Sequence, residues 1–179
     1  ITLNAVNKTA NILSKILNKY LTWYYEEFNL TEKPKKKLVF ISSTIIFTET
    51  FLYNLILRLQ NDYQIYLITN TNGKKYFNNN QSLKIIHLPF KRKINIFNDL
   101  FCLFLFVFYS LKIGKHHSIS MTPKGAIYGS ISKLIHPSSK RIHIFTGQIW
   151  ANYEGIKRTL FKSIDKFTIK FSNYIFFDS

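Results

Sequence analysis

An α/β fold built on a Rossmann-like parallel sheet is the class this sequence predicts, and three observations carry the prediction. From Leu38 onward, short apolar-rich runs alternate with longer segments of helical period. The first of them, Leu38-Val39-Phe40-Ile41, is continuously apolar, as strands covered on both faces are. Apolar residues make up 46% of 179, enough for a full core in a chain of this length.

In order, the spacing predicts strands over 38–42, 64–69, 83–88, 118–121, 141–145 and 174–177. Helices are predicted over 48–60, 94–112, 124–135 and 156–172. Asn72-Gly73 marks a turn in the polar stretch 70–81, and Pro89 stops the third strand. The helix from Ile94 contains Leu100 to Leu111 without a charge. Twelve residues reach about 18 Å, short of a bilayer core of roughly 30 Å. Burial against the sheet and a dip into a membrane surface both fit it. Residues 1–37 read as a separate unit, an amphipathic helix and a basic linker. Val6, Ala10, Leu13, Leu17, Tyr20 and Tyr24 recur at helical spacing, and Lys33-Pro34-Lys35-Lys36-Lys37 closes the segment. The domain proper is expected over 38–179.

Charge narrows the partners. There are 25 Lys+Arg against 9 Asp+Glu, a net charge of +16, which suits an anionic partner. Only Arg58, Arg92, Arg141 and Arg158 are Arg, and Asn, Ile, Phe and Tyr abound, so an A/T-rich coding bias accounts for part of the basicity. No nucleic-acid motif accompanies the charge, and nucleic acid is not expected as a partner. Cys102 is the sole cysteine, which excludes a disulfide scaffold.

Several chemistries are excluded by missing motifs. Ser42-Ser43-Thr44-Ile45-Ile46-Phe47 follows the first strand without a glycine, so the usual NAD or FAD mode is not expected. There is no Walker A sequence and no Asp-x-Asp, and none of the five His sits at metal-ligand spacing from Cys, Asp or Glu. No metal or cofactor is expected.

Two segments place small and polar residues at the carboxyl ends of strands, where open parallel sheets bind ligands. The first is Ser120-Met121-Thr122-Pro123-Lys124-Gly125. Pro123 suits a helix start, Gly125 permits close approach to the backbone, and Lys124 adds a charge to helix N–H groups that suit phosphate. An ordinary strand-to-helix turn has the same composition. The second is Arg141-Ile142-His143-Ile144-Phe145-Thr146-Gly147-Gln148-Ile149-Trp150. Gly147 permits a tight turn, Thr146 and Gln148 can bond hydroxyls, and Trp150 suits either a sugar face or the core. His143 within a strand fits a satisfied buried histidine. Arg141 fits a phosphate contact or the start of a strand.

Taken together, Ser120 to Gly125, Arg141 to Trp150, Gly155-Ile156-Lys157-Arg158, Ile164-Asp165-Lys166 and the closing Asp178-Ser179 resemble the N-terminal domain of bacterial family 4 glycosyltransferases that build surface polysaccharide. The likeness runs from about Leu38 to Ser179, and the unbroken Arg-Ile-His-x-Phe-Thr-Gly-Gln-x-Trp is its most specific part. The resemblance implies half of a GT-B fold, the acceptor side. It implies a retaining transfer from a nucleotide-sugar to a lipid-linked saccharide, on the cytoplasmic face of the bacterial membrane. Ser43, Thr44, Thr122, Pro123, Lys124, Gly125, His143, Thr146, Gly147, Gln148 and Trp150 would bind substrate. Many members of the broader family carry His where Thr146 falls, so no catalytic residue is assigned. The loop after the first strand lacks the glycines common in the family, and the sequence holds no donor-binding half. The expected chain is a fragment of the enzyme, inactive alone. The alternative is a non-catalytic glycan-, lipid- or partner-binding subunit of a split enzyme.

Overall fold

A computed structural model describes residues 35–72, 83–91, 93–147 and 149–177. The amphipathic helix expected over residues 1–37 lies outside them up to residue 34, as do Gln148 and Asp178-Ser179.

Six strands form one all-parallel sheet: β1 (Lys36–Ile41), β2 (Tyr63–Thr69), β3 (Leu83–His87), β4 (His117–Met121), β5 (Arg141–Phe145) and β6 (Tyr174–Phe177). Their order is β3-β2-β1-β4-β5-β6, so the chain reverses its direction of travel across the sheet between β1 and β4. Phe40 of β1 aligns with Leu67 on one side and Ile119 on the other. Four helices flank the sheet: α1 (Ile45–Leu59), α2 (Ile96–Ile113), α3 (Pro123–Ile135) and α4 (Gly155–Lys170). A 3₁₀ turn, Ile149–Asn152, was not foreseen from the sequence and precedes α4.

The pleat divides the core. Leu38, Phe40, Ile65, Leu67 and Ile119 face one side and pack with Leu52, Leu55, Ile56 and Leu59 of α1. Val39, Ile41 and Ile68 face the other and pack with Cys102, Phe106 and Ile113 of α2 and Tyr128 of α3. This two-sided cover is why β1 reads as an unbroken apolar run. Asn95 caps α2: its side chain accepts from Asn98 N at 3.0 Å, while Asp99 accepts from Asn95 N at 3.1 Å.

The expected burial of α2 holds for one face. Cys102, Phe106, Ser110 and Ile113 are buried, while Phe97, Leu100, Phe101, Phe104, Phe108 and Leu111 are exposed.

The β5 end of the molecule is tied together by Arg141, which is 0% exposed. One guanidinium nitrogen donates to Thr168 O at 2.8 Å and Ser172 Oγ at 2.7 Å. The other donates to Ala126 O at 2.7 Å and Ser120 Oγ at 3.2 Å. Among the described residues it has no carboxylate partner. The carbonyls of the last turn of α4 supply the negative end of the helix dipole instead. Burial still pulls the guanidinium down to about 10. Asn173 closes the clamp, its N donating to Arg141 O and its Oδ1 accepting from Arg141 N, both at 2.9 Å. Gly129 makes room for the guanidinium: a Cβ there would sit 2.7 Å from Arg141 Nε and from Ser120 Oγ.

Two substitutions test this clamp. Arg141→Met removes the donor that joins four acceptors, although Thr168 O and Ala126 O keep the hydroxyls of Ser172 and Ser130, and it is expected to cost about 3 kcal/mol in urea denaturation. Gly129→Ala gains helix propensity but overpacks the guanidinium, and a net loss of about 1–2 kcal/mol is expected.

Candidate functional site

The carboxyl ends of β1 and β4 meet where the strand order reverses, the place where open α/β sheets bind ligands. Two backbone segments converge there. Ser43 N donates to Thr122 Oγ1 at 3.2 Å, bridging the loop after β1 to the turn after β4. The same Oγ1 accepts from Gly125 N at 3.3 Å and caps α3. Thr122 has φ 66°, the one non-glycine residue with positive φ among those described. Such a conformation costs about 1–3 kcal/mol, and here three elements hold it in place. Ser43 and Thr44 are half-buried, and their hydroxyls bond to no other described residue.

Each predicted site residue now has a place. Pro123 is the first residue of α3, as expected. Gly125 is required by close approach, but what approaches is the protein: a Cβ there would lie 2.7 Å from Ile41 O. Lys124 is committed to an ion pair with Asp99 Oδ1 and also donates to Lys93 O, so its charge ties α3 to α2. Pro123 lacks an N–H and Gly125 N is taken by Thr122. The first turn of α3 therefore offers the Lys124 N–H rather than a cradle of amides.

A pocket next to this turn is lined by Thr122, Pro123, His143, Thr146, Gly147 and Asp165, among others. Its volume is about 20 Å³, room for a water or two and far less than a sugar ring. Gly147 has φ 132°, which a side chain would strain. The structure thus brings Thr122, Pro123, His143, Thr146 and Gly147 together, with Ser43 held against Thr122. Gln148 lies outside the described residues.

His143 is buried at the bottom of this group, its ring edge-on to Phe145 at 4.5 Å between centroids. Ser120 Oγ accepts from Arg141 and lies 2.9 Å from His143 Nδ1, with Ile142 O farther away at 3.5 Å. The hydroxyl and Nδ1 form one hydrogen bond, whose direction follows the tautomer of the ring. Burial, with Arg141 adding to it, lowers the imidazole to about 3, so His143 is neutral at physiological pH.

Trp150 is neither a free stacking platform nor a core anchor. It is half-buried, with Lys162 Nζ 4.6 Å and Arg158 Cζ 5.5 Å from its ring centroid. Its indole N–H bonds the Asp165 carboxyl, which burial raises and this bond lowers in pKa. Asp165 is the polar pocket residue that stands within Ile164-Asp165-Lys166 but is not among the expected site residues, and its place appears once α4 is docked beside β5. Among the described residues no group of three or more His, Cys, Asp or Glu could hold a metal ion.

No protein-family model matches this chain, and a search of curated proteins gives no significant match. What the fold and site define is a class: a six-stranded parallel α/β sheet of Rossmann-like form with its polar residues gathered at the switch point.

The histidines predict a pH dependence. Burial lowers His116 and His117 to about 4 and His143 to about 3. His117 Nδ1 accepts from Lys140 N at 2.9 Å, a bond that requires the unprotonated nitrogen. In the unfolded chain each titrates near its ordinary 6.5, so on acidification the unfolded state binds protons first. Their contribution is whole above about pH 6.5 and drains away down to about pH 4 for His116 and His117 and about pH 3 for His143. Urea melts across this range should show stability falling by up to about 1.4 kcal/mol per pH unit for each histidine. His143→Asn should remove one proton's worth of that slope.

Proposed function

We propose that this chain is the acceptor-side domain of a retaining glycosyltransferase of the GT-B kind, taking sugar from a nucleotide-sugar to a lipid-linked saccharide at the inner face of a bacterial membrane. One observation carries the reading. The two segments that resemble family 4 glycosyltransferases, Ser120 to Gly125 and Arg141 to Trp150, are distant in sequence yet line one pocket at the carboxyl edge of the sheet.

In this reading the chain supplies positioning. The hydroxyls of Ser43, Thr44 and Thr146 are donors suited to saccharide oxygens, neutral His143 offers a ring nitrogen, and Asp165 is an acceptor for a saccharide hydroxyl. A pocket of about 20 Å³ cannot enclose a sugar, so the acceptor would rest across its mouth. Transfer would then need a second wall, holding the nucleotide-sugar, to bring the reacting atoms together. Lys124, paired with Asp99, would keep α3 in place rather than bind a diphosphate.

The size of the pocket also favours a second reading, a non-catalytic subunit that binds a glycan or a partner chain. Calorimetric titration with polyprenyl-diphosphate-linked saccharides, followed by assay of label transfer from nucleotide-sugars, separates the two. The first reading expects saturable binding, weakened about tenfold by Thr146→Val or Asp165→Asn, and transfer once a donor-binding domain is supplied. Binding without transfer under those conditions selects the second. No saturable binding by a folded protein overturns the first reading and the glycan-binding form of the second.

A further inference from the structure

The outer face of α2 is apolar from end to end. At 100° per residue, Phe97, Leu100, Phe101, Phe104, Phe108 and Leu111 fall within an arc of about 100°, opposite the arc of Cys102, Phe106, Ser110 and Ile113 that enters the core. Phe97 is 88% exposed and Phe104 71%. An uncharged aromatic stripe of this length is uncommon on a surface that faces only water.

Its surroundings are basic. Exposed Lys91 and Lys93 lead into the helix, and exposed Lys112 and Lys115 close it. The acid on the helix, Asp99, is neutralised by Lys124. A second copy would set these lysines against their own kind. The segment 1–37 is itself lysine-rich. An anionic lipid surface complements both the apolar stripe and its charged ends.

We infer that α2 is an interfacial membrane anchor, lying in the plane of an anionic bilayer with its Phe97–Leu111 face among the acyl chains. The helix is also apolar and long enough to span, with a mean hydropathy of 1.8 over 18 residues. Spanning would strip Cys102, Phe106 and Ile113 from the sheet, and the Asp99–Lys124 pair would have to break. Lying flat keeps all of them. The Lys124 pair fixes the start of α2 beside the start of α3, so the docked surface would run up to the edge of the candidate site. This inference rests on the peripheral-membrane part of the function proposed above, and on none of its chemistry.

Vesicle sedimentation tests it with neither donor nor acceptor present, so its outcome is independent of any transfer assay. The full chain is mixed with vesicles of phosphatidylcholine alone or of phosphatidylcholine and phosphatidylglycerol at about three to one, chosen to give the surface a negative potential. Binding to the anionic vesicles is expected, weaker on the neutral ones and weakened by salt. Phe97→Glu/Phe104→Glu should lower it about a hundredfold, and Phe97→Leu/Phe104→Leu should hold it within about threefold. Both positions are exposed, and circular dichroism confirms that the variants fold. Absence of binding, or undiminished binding by the glutamate variant, overturns the inference. So does a dimer in lipid-free solution that the glutamate variant dissolves, which would assign the face to a second copy.

Discussion

A guanidinium with no carboxylate beside it among the described residues is the constraint on which one half of this molecule depends. Arg141 opens β5 with its side chain inside the protein, and a buried cation must be surrounded by acceptors or it will not stay. The acceptors come from four places: β4, α3, the end of α4 and the turn before β6. Pairing its two terminal nitrogens therefore fixes the relative positions of all four, while Nε is left without a hydrogen-bond partner among the described residues. The consequence reaches the pocket. Ser120 Oγ accepts from Arg141 and also bonds His143 Nδ1 at 2.9 Å, so the clamp holds the imidazole in position two residues along the strand. The electrostatics of the candidate site are thus set from the far end of β5.

The other half is held by ordinary means, and that is why it was legible. β1 and most of β2 declare themselves as apolar runs because both faces of the sheet are covered there, while edge strand β3 shows only Leu83, Ile85 and Ile86 between polar residues. The bounds of β5 and β6 were read correctly to the residue, since Arg141 and Tyr174 mark sharp changes of composition. Helix starts were harder: α1 begins at Ile45, three residues before the periodicity suggests, because Thr44 caps it without a capping hydrogen bond from its side chain.

The candidate site was legible in its residues and less so in their reasons. Position at strand ends selected Thr122, Thr146 and Gly147. It did not reveal that Gly125 answers to Ile41 O, that Lys124 answers to Asp99, or that Trp150 is engaged by Lys162. Each of these depends on a partner 12 or more residues away, which local pattern does not encode. The positive φ of Thr122 belongs to the same group. It is a strained threonine where a glycine would relax, retained because its hydroxyl joins β1 to α3.

The inner face of α2 has one more consequence. Cys102 is fully buried there, between the helix and the sheet, and burial raises its thiol pKa. As the chain's sole sulfhydryl, it is shielded from any reagent until the helix lifts. When the reagent is concentrated enough to outpace reclosing, the rate at which it consumes the thiol is the opening frequency of the layer around Cys102; at lower concentration the rate gives the opening equilibrium. The protein carries its own stopwatch for the attachment of α2, running where no engineered label is needed.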